Sequence, residues 1–310
     1  MLTTTQLKGV MPPVVTPLTQ EDQLHVENLQ LHIRTMIQEG CSGVLLMGTT
    51  GEGPSLGLGE RKTVIDVGVE AAQGALVLAQ TGCASLKDTL SLTRHAYDSG
   101  VDAAMVVPPF YYKNVPVEGL VAYYRRLLDE AVPEDGSILL YHIPQVSQVP
   151  VSFRLLEGLL TFASDRLVGL KDSSGDLNHL RELRGRFPQL RVFVGTDRLL
   201  LEGLRLGAAG CITAAVNVLA PLDVAVYRAF ISGQEVEDLQ DTLTAARDAL
   251  ERYPPFPPTI KYLLSLRYGE SGWEPRPPLT NLSETDRDTV VRDLIKVDAH
   301  RWLSWLPASR

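Results

Sequence analysis

Short unbroken apolar runs, each closed by Gly, Pro or Asp, recur along the front of the chain. They are Val10 to Val15, Gly43 to Met47, Leu76 to Gln80, Ala103 to Val107, Ile138 to Tyr141, Leu167 to Leu170, Val192 to Val194 and Cys211 to Ala214. None alternates with polar positions, as expected of strands covered on both faces. Between the runs, apolar positions take helical spacing. Val26 to Gln38 puts Leu29, Ile33, Met36 and Ile37 on one stripe, and Arg61 to Ala72 and Val117 to Ala131 follow the same rule. Strand and helix alternate eight times, the tempo of parallel βα units.

A weak repeat supports this. Glu39-Gly-Cys-Ser-Gly-Val-Leu-Leu46, Ser99-Gly-Val-Asp-Ala-Ala-Met-Val106 and Leu206-Gly-Ala-Ala-Gly-Cys-Ile-Thr213 each read as a helix end, a Gly C-cap, a small-residue turn and a strand. Eight units predict a closed (β/α)8 TIM barrel. The rival, an open doubly wound sheet binding a dinucleotide, lacks the Gly-x-Gly-x-x-Gly its first turn needs. After Pro221 the pattern changes. Val224 to Ser232 reads as the eighth helix, and Glu235 to Tyr253, Pro258 to Arg267 and Glu284 to Leu294 as further helices. Tyr253-Pro-Pro-Phe-Pro-Pro258 breaks the helical register, and Pro275-Arg-Pro-Pro278 is a second extended link. The expected division is a catalytic barrel over 1–232 and C-terminal helices packed on it over 233–310.

Composition narrows the function classes. The 310 residues are 45% hydrophobic and 21% charged, ample for a packed core. Lys and Arg total 29 against 37 Asp and Glu, a net charge of -8 that repels phosphate backbones and argues against a nucleic-acid partner. No apolar stretch is long enough to span a bilayer, so no membrane partner is expected. The start, Met1 to Gln6, lacks the basic stretch and apolar block of a secretion signal. Cys41, Cys83 and Cys211 are too few and scattered for a disulfide framework or a zinc cage. A cytoplasmic enzyme or small-molecule binder is the expectation.

In a barrel of this kind the active site sits at the carboxyl ends of the strands. Lys171 follows the apolar run Leu167 to Leu170 and would point into the mouth. The other lysines, Lys8, Lys62, Lys87, Lys113, Lys261 and Lys296, fall in predicted helices, loops or termini as solvated cations. An ammonium buried without a partner is costly, and the free amine is a nucleophile suited to forming a Schiff base with a ketone. An ion pair with Asp172 is the competing reading, but adjacent strand residues point to opposite sides.

Schiff-base chemistry needs a proton shuttle, and Tyr141 closes the fifth strand at the equivalent level. Its phenol would need a relay of hydroxyls, with Thr50 and Tyr111 nearest by strand position. Taken alone, Tyr141 reads equally as a packed ring with its hydroxyl at the surface. The Gly48-Thr49-Thr50-Gly51 turn offers consecutive backbone N–H groups as a seat for a carboxylate. The six histidines (25, 32, 95, 142, 179 and 300) show no metal-ligand spacing, so no metal is expected. His142 lines the pocket or caps its strand; the residues alone leave both open.

Gly48-Thr-Thr-Gly-Glu52, Pro109-Phe-Tyr111, Tyr141-His-Ile-Pro144 and Gly169-Leu-Lys-Asp-Ser-Ser174, in this order, resemble the dihydrodipicolinate synthase and N-acetylneuraminate lyase family of pyruvate-type class I aldolases. The resemblance runs from about residue 7 to 298 and includes Ile260-Lys261 and Arg276-Pro-Pro278-Leu279. It implies that Lys171 is the Schiff-base lysine and Tyr141 the general acid/base. It further implies that Thr49 and Thr50 bind the keto-acid carboxylate and relay protons. Tyr111 matches a tyrosine that in many members reaches across a dimer interface, and Gly195 and Ile212 match positions around the bound keto acid. The resemblance also implies a homotetramer built as a dimer of dimers, with no metal or organic cofactor.

One departure bears on the substrate. Synthases that condense pyruvate with aspartate semialdehyde carry an Arg two residues after the Pro of Tyr-x-x-Pro, and here that place is Val146. An apolar side chain cannot fork onto a carboxylate. His142 stands where several subgroups have Asn. The expected function is a Schiff-base lyase or aldolase acting on pyruvate or another 2-oxo acid, with an aldehyde as the second partner. The alternatives are a Schiff-base dehydratase of 2-keto-3-deoxy sugar acids and a barrel that binds a keto acid without turning it over.

Overall fold

The computed structural model describes residues 6–269 and 271–306. The first five residues, which hold most of the segment read for a secretion signal, lie outside the described residues, as do Glu270 and residues 307–310 at the end of the expected C-terminal unit. Strands and helices alternate as β1 (Gly9–Met11), α1 (Val26–Gln38), β2 (Gly43–Leu46), α2 (Leu58–Ala72), β3 (Leu76–Gln80), α3 (Leu86–Asp98), β4 (Ala103–Val106) and α4 (Val117–Ala131). They continue as β5 (Ile138–His142), the single turn α5 (Pro144–Ser147), α6 (Phe153–Ala163), β6 (Leu167–Asp172), α7 (Leu177–Arg186), β7 (Arg191–Val194), α8 (Leu200–Arg205), β8 (Gly210–Ile212) and α9 (Val216–Ile231). Helices α10 (Glu237–Glu251), α11 (Phe256–Tyr268) and α12 (Glu284–Lys296) follow.

All eight strands are parallel, in the order β1-β8-β7-β6-β5-β4-β3-β2. The remaining seam is closed beside β1, where Leu45 N donates to Pro12 O (2.9 Å) and Val14 N to Leu45 O (3.0 Å). The predicted barrel is borne out. Met11, Leu45, Leu78, Met105, Leu139, Phe193 and Ile212 fill its lumen, while Val10, Val44, Val77, Ala104, Leu140, Leu170 and Val192 face the helices. Both faces are dry, which is why the runs do not alternate.

Several boundaries differ from the sequence reading, and proline chemistry accounts for two of them. Strand β1 stops at Met11 because Pro12 and Pro13 have no N–H for the ladder. Helix α9 starts at Val216, with Pro221 inside it, rather than at Val224. Its first turn is pinned to the barrel by Asn217, whose Nδ2 donates to Pro13 O (3.0 Å) and whose Oδ1 accepts from Val15 N (3.2 Å). Helix α11 places Pro257 and Pro258 in its first turn, where the missing N–H groups would have had no intrahelical partner.

Leu243 and Leu250 of α10, Ile260, Leu263 and Leu264 of α11, and Val290 and Leu294 of α12 join the apolar cluster that covers the barrel's outer wall. Among the described residues no helix is long and apolar enough to cross a membrane.

Candidate active site

Strand β6 carries an irregularity that decides which side chain enters the mouth. Ile138 pairs with Leu167 but the next residue, Leu139, pairs with Gly169, so Val168 is an extra residue in β6. Val168 faces the lumen, and simple alternation would then send Leu170 and Asp172 inward. The bulge resets the phase. Leu170 instead faces the helices, and Lys171 turns inward beside its register partner Tyr141. Gly169 permits the local approach, since a Cβ there would lie 2.4 Å from Arg191 O.

Lys171 (4% exposed) and Tyr141 (3%) meet at the carboxyl end of the barrel. Nζ donates to the Tyr141 hydroxyl at 3.3 Å and lies 4.4 Å from the ring centroid. Asp172 points to the other side of the wall, where it binds His179, so among the described residues Nζ has no carboxylate partner. The Tyr141 hydroxyl also meets Thr49 Oγ1 at 3.3 Å. The threonine hydroxyl that meets the phenol is therefore that of Thr49. Thr50, the hydroxyl expected there from strand position, is buried and lines the same cavity without reaching Tyr141.

The turn that carries both threonines is tightly built. Met47 and Glu52 take left-handed backbone (φ 56° and 53°), and Thr16 Oγ1 donates to Gly51 O at 2.6 Å. Glu52 anchors it from behind: Oε1 pairs with Lys261 Nζ at 2.5 Å, both side chains 1% exposed, and Oε2 accepts Arg276 N at 2.9 Å. This corrects the reading of Lys261 as a solvated cation. The turn's own geometry leaves the N–H groups of Thr50 and Gly51 without a backbone acceptor among the described residues.

The cavity has a volume of about 460 Å³. Gly195 forms part of its wall, and a Cβ at that position would sit 2.0 Å from Ser173 Oγ. Ile212 is fully buried in the lumen cluster with Tyr141 and Phe193, outside the cavity lining. Tyr111 is 72% exposed, edge-to-face with Tyr112 at 5.3 Å, and lies outside the lining of the cavity that holds Tyr141. Of the two readings left open for His142, lining the pocket or capping its strand, the first is not supported by the cavity lining, which lacks it. One step along β5 from Tyr141, it faces away from the cavity, accepts Val151 N through Nδ1 at 3.0 Å, and stacks on His179 at 4.8 Å.

The far wall comes from residues that sequence reasoning left aside. Arg198, Arg247, Glu251 and Phe256 line the mouth, the last three from the C-terminal helices. Arg247 pairs with Asp197 (2.6 Å) and Glu251 (2.8 Å), and Arg198 with Asp248 and Glu251 (both 2.5 Å). The Arg198 hydrogen bond, with Arg247 adding to it and burial opposing, holds the Glu251 carboxyl down to about 2. The i, i+4 spacing of Arg247 and Glu251 was the available signal, though it does not reveal which face meets the barrel.

His142, Asp172 and His179 form the one cluster of potential metal ligands among the described residues, with ligand atoms within 4.8 Å of one another. The sequence spacing of the histidines did not reveal it. The two rings are stacked 19° from parallel, and His142 Nδ1 is occupied by an N–H. Lone pairs lie in the ring plane, so stacked rings cannot aim both at one ion.

Residues 6–297 match the Dihydrodipicolinate synthetase family. An uncharacterised DapA-like lyase of Chloroflexus aurantiacus is 43% identical over 260 residues, covering 83% of this chain and 86% of that one. A 4-hydroxy-tetrahydrodipicolinate synthase of Gluconacetobacter diazotrophicus is 32% identical over 297 residues, covering 93% and 96%. The crystal structure of YagE, a prophage protein of the dihydrodipicolinic acid synthase family from E. coli K12 in complex with pyruvate, superposes with a TM-score of 0.88. It is 26% identical and covers 94% of this chain and 99% of that one.

Proposed function

The chain belongs to the dihydrodipicolinate synthetase family, whose members are lyases and aldolases, and from that premise we propose that Lys171 forms a Schiff base with pyruvate or a related 2-oxo acid. The observation that carries this reading is the pairing of a buried lysine, without a carboxylate partner among the described residues, with a phenol 3.3 Å away at the mouth of the barrel. As the free amine, Nζ adds to the keto carbon. A proton moves from nitrogen to the new oxyanion through Tyr141 to give the carbinolamine; Tyr141 then gives its own proton to the hydroxyl, which leaves as water, and the nitrogen lone pair closes the iminium with Tyr141 left as phenolate. Phenolate Tyr141 takes the proton of the hydroxyl on the carbon beta to the iminium, the bond between the alpha and beta carbons breaks, and its electron pair passes through the alpha carbon to the iminium nitrogen, yielding an enamine and an aldehyde. Run backwards, the enamine attacks the aldehyde. The carboxylate of the 2-oxo acid is assigned to the Thr49–Thr50 turn, whose spare N–H groups and hydroxyls suit an anion.

The aldehyde end of the cavity supports a partner that brings no carboxylate. Val146 stands exposed on the rim, and both nearby guanidiniums are committed to carboxylates of this chain. Thr196, on the same wall, has a buried hydroxyl without a partner among the described residues, which suits a hydroxyl on the aldehyde. A second copy of the chain would complete the relay through Tyr111, as its exposed position beside Tyr112 supports.

Borohydride reduction in the presence of pyruvate tests the central claim. The expected product is a stable adduct on Lys171, located by peptide mass spectrometry. An unlabelled chain, or a label on another lysine, overturns it.

A further inference from the structure

Asp172 stands directly behind Lys171 on β6, on the helix side of the wall and 6% exposed. A buried carboxylate one residue from an amine that must shed its proton opposes that loss. Its field favours the ammonium. The structure supplies an answer to that field. His179 Nδ1 lies 2.9 Å from Asp172 Oδ2, while Ser174 N donates to Oδ1 at 3.0 Å. The His179 ring is held flat between Phe153, 5.2 Å away and 7° from parallel, and His142. The Arg186 guanidinium caps the far face of Phe153 at 4.8 Å.

The charged neighbours of His179 all act in one direction on its charge. The hydrogen bond that its ring donates to Asp172 does most to raise it, burial partly opposes, and the charges of Asp172, of Asp176 at the cap of its helix and of Glu182 on that helix add to the rise. Burial pushes the His142 ring down to about 4, so it is a neutral stacking plate. For Asp172, burial pushes upward most strongly, but the bonds from His179 and Ser174 outweigh it and keep the carboxyl ionised.

We propose that His179 is a positioning residue for the Schiff-base lysine: bonded to Asp172 behind the barrel wall, it offsets the field of that carboxylate at Lys171 and so favours attack by the amine. The inference rests on the Schiff-base reading of Lys171 and adds to it a residue that never touches substrate.

The experiment measures the rate of pyruvate-dependent borohydride labelling of Lys171 against pH in the full-length protein. His179→Gln keeps a donor toward Asp172 but removes the charge. The half-maximal pH of labelling should move upward by about one unit, the effect of one charge at roughly 10 Å in a medium of effective dielectric near 20. His179→Lys, a permanent cation, should bring it back. In Asp172→Asn/His179→Gln the upward shift should vanish, which a loss of packing alone would not produce. Superimposed profiles for wild type and His179→Gln overturn the inference, as does a shift that persists in the double variant. Should the double variant fail to fold, a shift that His179→Lys does not reverse overturns it equally. A wild type that takes no label overturns the Schiff-base reading itself, whereas a labelled wild type with superimposed profiles overturns this inference alone.

Discussion

Lys261 and Glu52 form an ion pair 2.5 Å long with both side chains 1% exposed, and it ties the C-terminal helix α11 to the turn that presents Thr49 and Thr50. The lysine's second contact, Nζ to Glu274 O at 2.7 Å, leaves its charge well coordinated. Burial lowers the Lys261 ammonium from its usual value, and Glu52 works against that fall.

Removing one partner strands the other charge in the core. Lys261→Met should destabilise the protein by about 3–5 kcal/mol, the usual cost of breaking a buried pair. Lys261→Met/Glu52→Gln should recover part of that loss. Urea unfolding of the two variants and the wild type checks this, and equal losses in both variants would show that the pair is not the source.

Tyr141→Phe removes only the hydroxyl that meets Nζ and Thr49. Turnover should fall by about 10²- to 10⁴-fold, the usual reach of a general acid/base. The ring stays in the lumen cluster, so the melting temperature should change little. Thr49→Val should lose less activity, because it removes a relay member and leaves the phenol. Steady-state kinetics with an accepted aldehyde would reveal the order, and near-normal turnover of Tyr141→Phe would remove Tyr141 from the mechanism.

The barrel was legible in the sequence because strands buried on both faces leave a signature that depends on nothing distant. The placement of Lys171 was legible in outcome but not in cause. Its inward direction depends on the extra residue Val168, a feature of pairing between β5 and β6 that no local pattern carries. His142 and His179 are far apart in the chain and meet only because α7 folds back on β6, so their spacing looked empty. Arg247 and Glu251 form an ordinary i, i+4 pair on a helix that read as outer packing. Lys261 misled for the opposite reason: a lysine in an amphipathic helix is normally solvated, and its partner Glu52 lies 209 positions earlier.

Buried neutral histidines set a pH limit on stability. Burial lowers His32 and His142 to about 4 from the ordinary 6.5. The unfolded chain takes up these protons near pH 6.5 and the folded chain only near 4. Stability therefore falls as pH drops through that window, by roughly 2–3 kcal/mol per histidine at the low end. His179 has the opposite sign: its value is raised, so its contribution is complete below 6.5 and fades as pH climbs through the folded value. Urea midpoints from pH 7 to 4 should fall less steeply in His142→Gln than in the wild type. Parallel curves would mean His142 titrates normally.

Val146 lies on the rim of the cavity at 59% exposure, on the single-turn helix α5. A carboxylated aldehyde such as aspartate semialdehyde would find no fork there, and Arg198 and Arg247 are already bound to Asp197, Asp248 and Glu251. Condensation with pyruvate should favour neutral hydroxyaldehydes over aspartate semialdehyde in the wild type. Val146→Arg should raise kcat/KM for the carboxylated aldehyde by about 10- to 100-fold, the value of one charge-assisted contact of roughly 1.5–3 kcal/mol. The neutral aldehydes should change little, since the substitution adds a charge they cannot use. A panel of aldehydes assayed against both proteins separates the cases, and efficient use of aspartate semialdehyde by the wild type would overturn the argument from this residue while leaving the Schiff base untouched.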